Sequence, residues 1–342
     1  MKKLLFAALA LAAVACSKSE VIEQTASAPI SFENPFVNNS TKSANDPSFT
    51  TSTNMFKDFA VYGFVEGATL FNGTTVSQEI VNADLNNSAW KYEGTQYWIA
   101  GANYNFAAIA PKTNGDWTVA NDGATKDGTT LTFTNDATTD LLYAQTNTIQ
   151  GKVSGNDVVA LDFRHILSKI KFSFENGYNA TGATIAIRDI NITNAYQTAT
   201  ATLNATTTTW SAWTDSQIIE FGNATDDEET TDKENVVDVK YAYGKTYESL
   251  NERFLIPGAA PVVATGINAY TVTFIVDLYV NGTKVKEYNH NVNVEFTPEA
   301  GKSYDIKATI TPETIDPNNE QEPIEFTVST LPGWGETNNV TM

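Results

Sequence analysis

From residue 270 onward, apolar and polar side chains alternate almost one for one. Val272, Phe274, Val276, Leu278 and Val280 hold successive even positions, and Asn281-Gly282 follows directly as a turn. Val292, Val294 and Phe296 resume the alternation, then Tyr304, Ile306, Ala308 and Ile310, then Ile324, Phe326 and Val328. Successive side chains of a strand point to opposite faces, so period two predicts strands with one buried and one wet face. No window of comparable length carries a helical stripe. Upstream, residues 59–65, 90–99, 104–110, 131–133 and 141–144 read as further strands. The dipeptides Asn72-Gly73, Asn114-Gly115 and Asp127-Gly128 between them offer the positive φ angles of tight hairpin turns. The predicted class is all-β.

The alternation changes parity near the middle of the chain. Val159, Leu161, Phe163 and His165 share one parity, whereas Ile170, Phe172 and Phe174 share the other. A strand cannot change faces without a bulge, a turn or a crossing, so a domain junction is expected at 160–168, dividing 55–163 from 164–342. Ahead of both, residues 16–54 form a leader rich in Ser, Thr, Asn and Pro with one apolar island at 30–37. There Ile30 and Phe32 alternate with Ser31 and Glu33 before Pro35 interrupts, which predicts one short strand on a flexible leader. The Thr/Ala tract at 198–209 reads as a polar edge strand or loop, and the acidic run at 226–234 as a solvated loop.

Composition and charge narrow the function. The chain has 342 residues, 21 Lys+Arg against 40 Asp+Glu, a formal charge of -19 and a single cysteine. So large an acidic excess excludes a duplex-binding role, because phosphate neutralisation needs Lys and Arg. One cysteine excludes an internal disulfide framework and a Cys-based zinc site. That cysteine closes a segment with the layout of a signal peptide: Lys2 and Lys3, an apolar run at 4–15, then Ala13-Val14-Ala15-Cys16. The run is too short to cross about 30 Å of hydrocarbon. Residues 1–15 are therefore expected to be removed. Cys16 stands where a lipoprotein signal peptidase leaves the new N-terminus, although Ala13 replaces the usual leucine; an ordinary signal peptide is the alternative. Acylation there anchors the mature chain, because several acyl chains hold far more firmly than one.

Chemistry is mostly absent. There is no glycine-rich phosphate loop, His-Glu-x-x-His pair, Gly-x-Ser-x-Gly elbow or spaced Cys/His ligand set. His165 shares the parity of Leu161 and Phe163 and reads as a buried structural residue; His290, among Asn289, Asn291 and Asn293, reads as a surface residue. Asp316, Asn318 and Glu320 alternate in a Pro-bounded loop that can be drawn around calcium, but the glycine and terminal glutamate of an EF-hand loop are missing. No cofactor is expected beyond a covalent lipid, and no enzyme. Trp90, Trp98, Trp117, Trp210 and Trp213 offer faces for sugar stacking, which makes a surface glycan-binding lipoprotein the alternative function; core packing is the plainer reading of Trp90 and Trp98.

Three aromatic-rich stretches carry a resemblance. Trp90-Lys-Tyr followed by Tyr97-Trp98 and by Tyr104-Asn-Phe106-Ala-Ala-Ile-Ala110-Pro111 is similar to the fimbrillin family of pilus subunits and fimbrillin-like lipoproteins, as is Asp140-Leu-Leu-Tyr-Ala144. Most specific is Leu161-Asp-Phe-Arg-His165-Ile-Leu-Ser-Lys-Ile170, which matches that family's Leu-x-Phe-x-His-x-Leu-Ser-Lys-Ile. The closing Ile324-Glu-Phe-Thr-Val328 with Trp334 also fits, and the likeness runs in order along the whole chain.

The resemblance implies two transthyretin-like β-sandwiches in tandem and assembly at the outer-membrane surface. A lipidated precursor is exported, a surface protease cuts behind the first strand, and the emptied groove accepts a strand from the next fimbrial subunit, by β-augmentation. Here the removable strand carries Ile30 and Phe32. The family's Thr-Arg-Ala cleavage site is replaced by Thr41-Lys42-Ser43, and no arginine precedes Arg164, which makes Lys42 the processing residue. Ile324, Phe326 and Val328 supply the knobs of a candidate donor strand. Implied partners are other fimbrial subunits, the outer membrane through the lipid, and host or bacterial surface ligands.

Overall fold

The computed structural model describes residues 28–33, 36–37, 57–80, 88–113, 115–119, 129–151, 158–225, 240–318 and 323–332. Cys16, Lys42, Glu320 and the acidic run at 226–234 lie outside them. The described residues are all-β, as their alternation predicts, and contain no helix.

Three sheets organise these strands. The first has ten, in the order Val158–Val159, Ser31–Phe32, Ser88–Lys91, Ala68–Ile80, Asp58–Val65, Asn103–Ala110, Leu142–Gln145, Asp162–His165 and Phe36–Val37, with Ile149–Gln150 against Asn103–Ala110. The second is built on Ser168–Asn176, which runs parallel to Ser303–Ile310, with Phe326–Leu331 at one edge. The third is built on the 21-residue strand Ala183–Leu203, flanked by Tyr270–Val280, Thr283–Val294, Thr208–Gly222, Thr129–Thr134 and Trp117–Val119.

Which face each residue serves follows from its parity. In Asp58–Val65, Phe59 and Val61 enter a core with Phe71, Trp90, Trp98 and Phe106, while Ala60, Tyr62 and Phe64 enter a different core on the other side. A strand buried on both faces reads as a nearly continuous apolar run, as this one does. The second core is shared between halves of the chain, since Leu131, Phe133, Ala199, Ala201, Leu203 and Trp210 close it from the third sheet. A further core lies between the second and third sheets, with Ile170, Phe172, Phe174 and Ile306 facing Ile185, Ile187, Val272 and Phe274.

Several expectations need correction. The parity change at 159–174 falls where the chain crosses from the first sheet, at Asp162–His165, to the second, at Ser168–Asn176. A division at 163/164 nevertheless cuts the third sheet, because Trp117–Val119 and Thr129–Thr134 join Ala183–Leu203 directly or through one another. Parity marks where a strand changes face and says nothing about which sheet its neighbours join. Thr198–Leu203, expected at an edge or in a loop, is interior to its sheet, with Thr129–Thr134 on one side and Thr208–Gly222 on the other. Its alanines supply the buried positions. Asn72-Gly73 is no hairpin turn: Gly73 is the extra residue of a bulge between the Val61/Thr74 and Tyr62/Asn72 pairs, and the turn is Glu66-Gly67, with φ of 47° and 80°. Asn281-Gly282 is the expected two-residue turn, with φ of 48° and 81°.

Candidate strand-exchange site

The apolar island of the leader is built into the first sheet. Ser31 and Phe32 pair in parallel with Val158 and Val159, Phe36 and Val37 pair in parallel with Asp162 and Phe163, and Phe32 pairs on its other side with Trp90 in antiparallel register. The leader therefore meets both ends of the sheet: Ser31–Phe32 lies between Val158–Val159 and Ser88–Lys91, and Phe36–Val37 lies beside Asp162–His165. Backbone bonds fix it: Ile30 N–H donates to Gln96 O at 2.8 Å, Trp98 N–H to Ala28 O at 3.0 Å, and Glu33 N–H to Val159 O at 3.1 Å.

Its two inward side chains are core residues. Ile30 and Phe32 are 2% and 5% exposed. The Phe32 ring lies edge-on to four others, with centroids 5.8 Å from Phe59, 6.0 Å from Phe71, 5.8 Å from Tyr92 and 6.1 Å from Phe106. Burying side chains of this size stabilises by about 1.5–3 kcal/mol each. From the sequence, only Ile30 and Phe32 are assigned to this site; of the socket residues left out, Tyr92 and Phe106 are signalled by the aromatic density of 90–106, whereas Phe59 and Phe71 are not.

A family model described as fimbrillin-like matches residues 41–330. The chain belongs to the fimbrillin-like family. No curated protein matches it in sequence. Among solved structures, this fimbrillin-like chain is similar to a fimbrial protein from Bacteroides vulgatus, at 17% identity and a TM-score of 0.57, over 88% of this chain and 99% of that one. It also matches a Bacteroides uniformis protein provisionally assigned to cell adhesion, at 18% identity and a TM-score of 0.44, over 83% and 94% of the two chains. The fimbrial anchor protein Mfa2 from Porphyromonas gingivalis matches at 13% identity and a TM-score of 0.38, over 90% and 98%. Membership makes this a fimbrial subunit or adhesin, associated with the cell-surface fimbrium, in a family of structural proteins.

The other candidate residues of the fimbrillin-like chain fall elsewhere. Ile324 is buried, and Phe326 and Val328 pack on the core between the second and third sheets. Phe326 lies 6.0 Å from each of Phe172, Phe174 and Phe274, so the candidate donor is an integral edge strand of its own sheet. The half-buried His165 meets Asp140 Oδ2 through Nδ1 at 2.5 Å. His290 is a correction: it is 5% exposed and stacks on Phe274 at 4.8 Å. Its strand begins at Thr283, so His290 shares the inward parity of Tyr288 and Val294 and the asparagines take the wet face. Burial pushes its imidazole down from 6.5 to about 4. Asp316 is bonded to Lys286 at 3.0 Å and accepts Asn318 N–H at 3.0 Å, and no metal-ligand cluster is found among the described residues. Trp90, Trp98 and Trp210 are buried, while the half-buried Trp117 and Trp213 donate their indole N–H groups to the Pro111 and Pro257 carbonyls.

Proposed function

We propose that this fimbrillin-like chain is exported as a precursor lipidated on Cys16, held at the outer membrane and cut behind its leader at Lys42. The groove occupied by Ile30 and Phe32 then receives a strand from another fimbrial subunit. One observation carries this reading: the leader supplies core side chains and backbone bonds to a sheet whose remaining strands all lie downstream of residue 57. Loss of the leader leaves unpaired edges at Ser88–Lys91 and Val158–Val159 beside an apolar socket, a surface that β-augmentation fills.

The donor strand on this reading carries Ile324, Phe326 and Val328 of a second subunit. Pro29-Ile30-Ser31-Phe32 and Pro323-Ile324-Glu325-Phe326 share Pro-Ile-x-Phe, which gives the two segments the same pair of knobs. Among the described residues, Phe326–Leu331 is hydrogen-bonded within its own sheet only to Ser303–Ile310, so peeling it away breaks one ladder.

The test replaces Thr41–Ser43 by a specific protease site and cuts the chain after folding. Excess labelled peptide spanning residues 28–37 should exchange into the cut protein, and protein depleted of its leader should form concentration-dependent oligomers. A cut chain that stays monomeric, keeps its leader indefinitely and ignores the peptide excludes strand exchange. Anchoring is checked separately: Cys16→Ser should abolish labelling by a fatty-acid analogue and release the precursor from the membrane fraction, and unchanged labelling contradicts the assignment.

A further inference from the structure

The chain that flanks the leader is interrupted at the leader's buried end. Phe32 pairs with Trp90, so an unbroken antiparallel ladder would bring Ile30 against Tyr92; instead Ile30 N–H bonds Gln96 O, and Pro29 bridges Tyr97. The intervening residues leave the ladder, with Glu93, Gly94 and Thr95 exposed and Gly94 at a φ of 79°. Tyr92 turns back into the gap. Its hydroxyl accepts Gln96 N–H at 3.2 Å and donates to Ile30 O at 2.8 Å, standing in for the missing backbone rung. Its ring lies 5.8 Å from Phe32 and 5.1 Å from Phe71, so the same side chain forms one wall of the socket. Burial pushes the hydroxyl's pKa up from its ordinary value, against the Gln96 bond.

The two bonds flanking Pro29, Ile30 N–H to Gln96 and Trp98 N–H to Ala28, place no demand on a Pro29 N–H, which is why proline is tolerated there. Two requirements thus fall on alternate positions: an aliphatic side chain with an accessible carbonyl at Ile30, and at Phe32 an aromatic ring large enough to meet four others.

We propose that the groove reads its occupant through Tyr92, selecting an extended segment of the pattern aliphatic–x–aromatic whose aliphatic residue offers its carbonyl to the Tyr92 hydroxyl. The inference rests on the strand-exchange reading and names the partner chemistry that site accepts.

Native-state hydrogen exchange on the intact chain tests it. The amides of Ile30 and Glu33 are followed against those of Phe106 and Ala108 in the sheet interior, in the parent chain, in Tyr92→Phe, and in a chain whose Ile30 and Phe32 are interchanged. Leader amides should exchange at least tenfold faster than the interior ones. Tyr92→Phe should accelerate the leader alone by a further factor of about two to ten, which is what one neutral hydrogen bond carries. The interchanged chain should accelerate it more. If leader amides exchange only with global unfolding, strand exchange and this proposal both fall. If the leader opens independently but neither variant changes its rate, the groove does not read this pattern and strand exchange stands without it.

Discussion

The rings of Phe32 and Phe59 meet edge-on, 5.8 Å apart at 83°. One belongs to the leader and the other to the strand that separates the first two cores, so the N-terminal core is completed by a segment that precedes every other strand of its sheet. On the strand-exchange proposal, folding and assembly are two uses of one groove.

Truncating the leader knob should be costly. Phe32→Ala removes a ring that touches four others, and changes of this kind cost about 3–5 kcal/mol. The urea midpoint of the intact chain should fall accordingly, and the leader should become the first site cut by a nonspecific protease. A loss below about 1 kcal/mol would show that the socket is slack.

Gly63 controls the same socket from below. A Cβ there would stand 2.6 Å from Phe71 Cδ2 and 3.1 Å from the Phe106 ring. Gly63→Ala should therefore displace two of the rings around Phe32 and cost about 1–3 kcal/mol by overpacking. Calorimetry should show the lowered transition, and leader amides should exchange faster than in the parent.

His290 makes stability depend on pH. Its imidazole is held down to about 4 by burial, opposed by a hydrogen bond to the Ile315 carbonyl and by Asp316, and titrates near 6.5 in the unfolded chain. Between those values the unfolded chain binds the proton and the folded chain does not. Its contribution is thus full above pH 6.5 and declines as pH falls toward 4. His290→Phe keeps a ring on Phe274 and removes the titration, so relative to the parent it should gain about 2–3 kcal/mol between pH 7 and pH 4. A parent-to-variant difference that is constant over that range contradicts the assignment.

Asp277 ties the third sheet together. Its side chain is 1% exposed and receives Arg188 Nε at 2.9 Å and Lys284 Nζ at 2.7 Å. Burial alone would raise its pKa, but the bonds from Arg188 and Lys284 outweigh burial and hold it below the usual 3.8. Asp277→Ala should cost about 3 kcal/mol at neutral pH, the low end for a broken buried pair because both cations reach water. The penalty should fade as pH drops below the carboxylate range, which paired denaturation curves will show.

Period two made the strands around Val272, Val276, Ile306 and Ile310 readable from the sequence, and the isolated Ile30-Ser31-Phe32 island marked the leader strand. His290 was misread because its asparagine neighbours dominate the local composition while parity decides burial. Asn72-Gly73 has the right dihedral preferences for a turn, but a bulge uses the same ones. The Tyr92 hydroxyl was not readable at all: its role exists only because the neighbouring chain leaves the ladder, a tertiary fact without a local signature. Cys16 and Lys42 remain readings of residue type and position alone.

The most direct measurement of the central claim is the N-terminal residue of the protein recovered from surface assemblies, set beside that of the membrane-bound precursor. Strand exchange predicts an acylated Cys16 on the precursor and Ser43 at the start of the assembled subunit, with Ile30 and Phe32 gone. Assembled subunits that still carry residues 30–37 would contradict it.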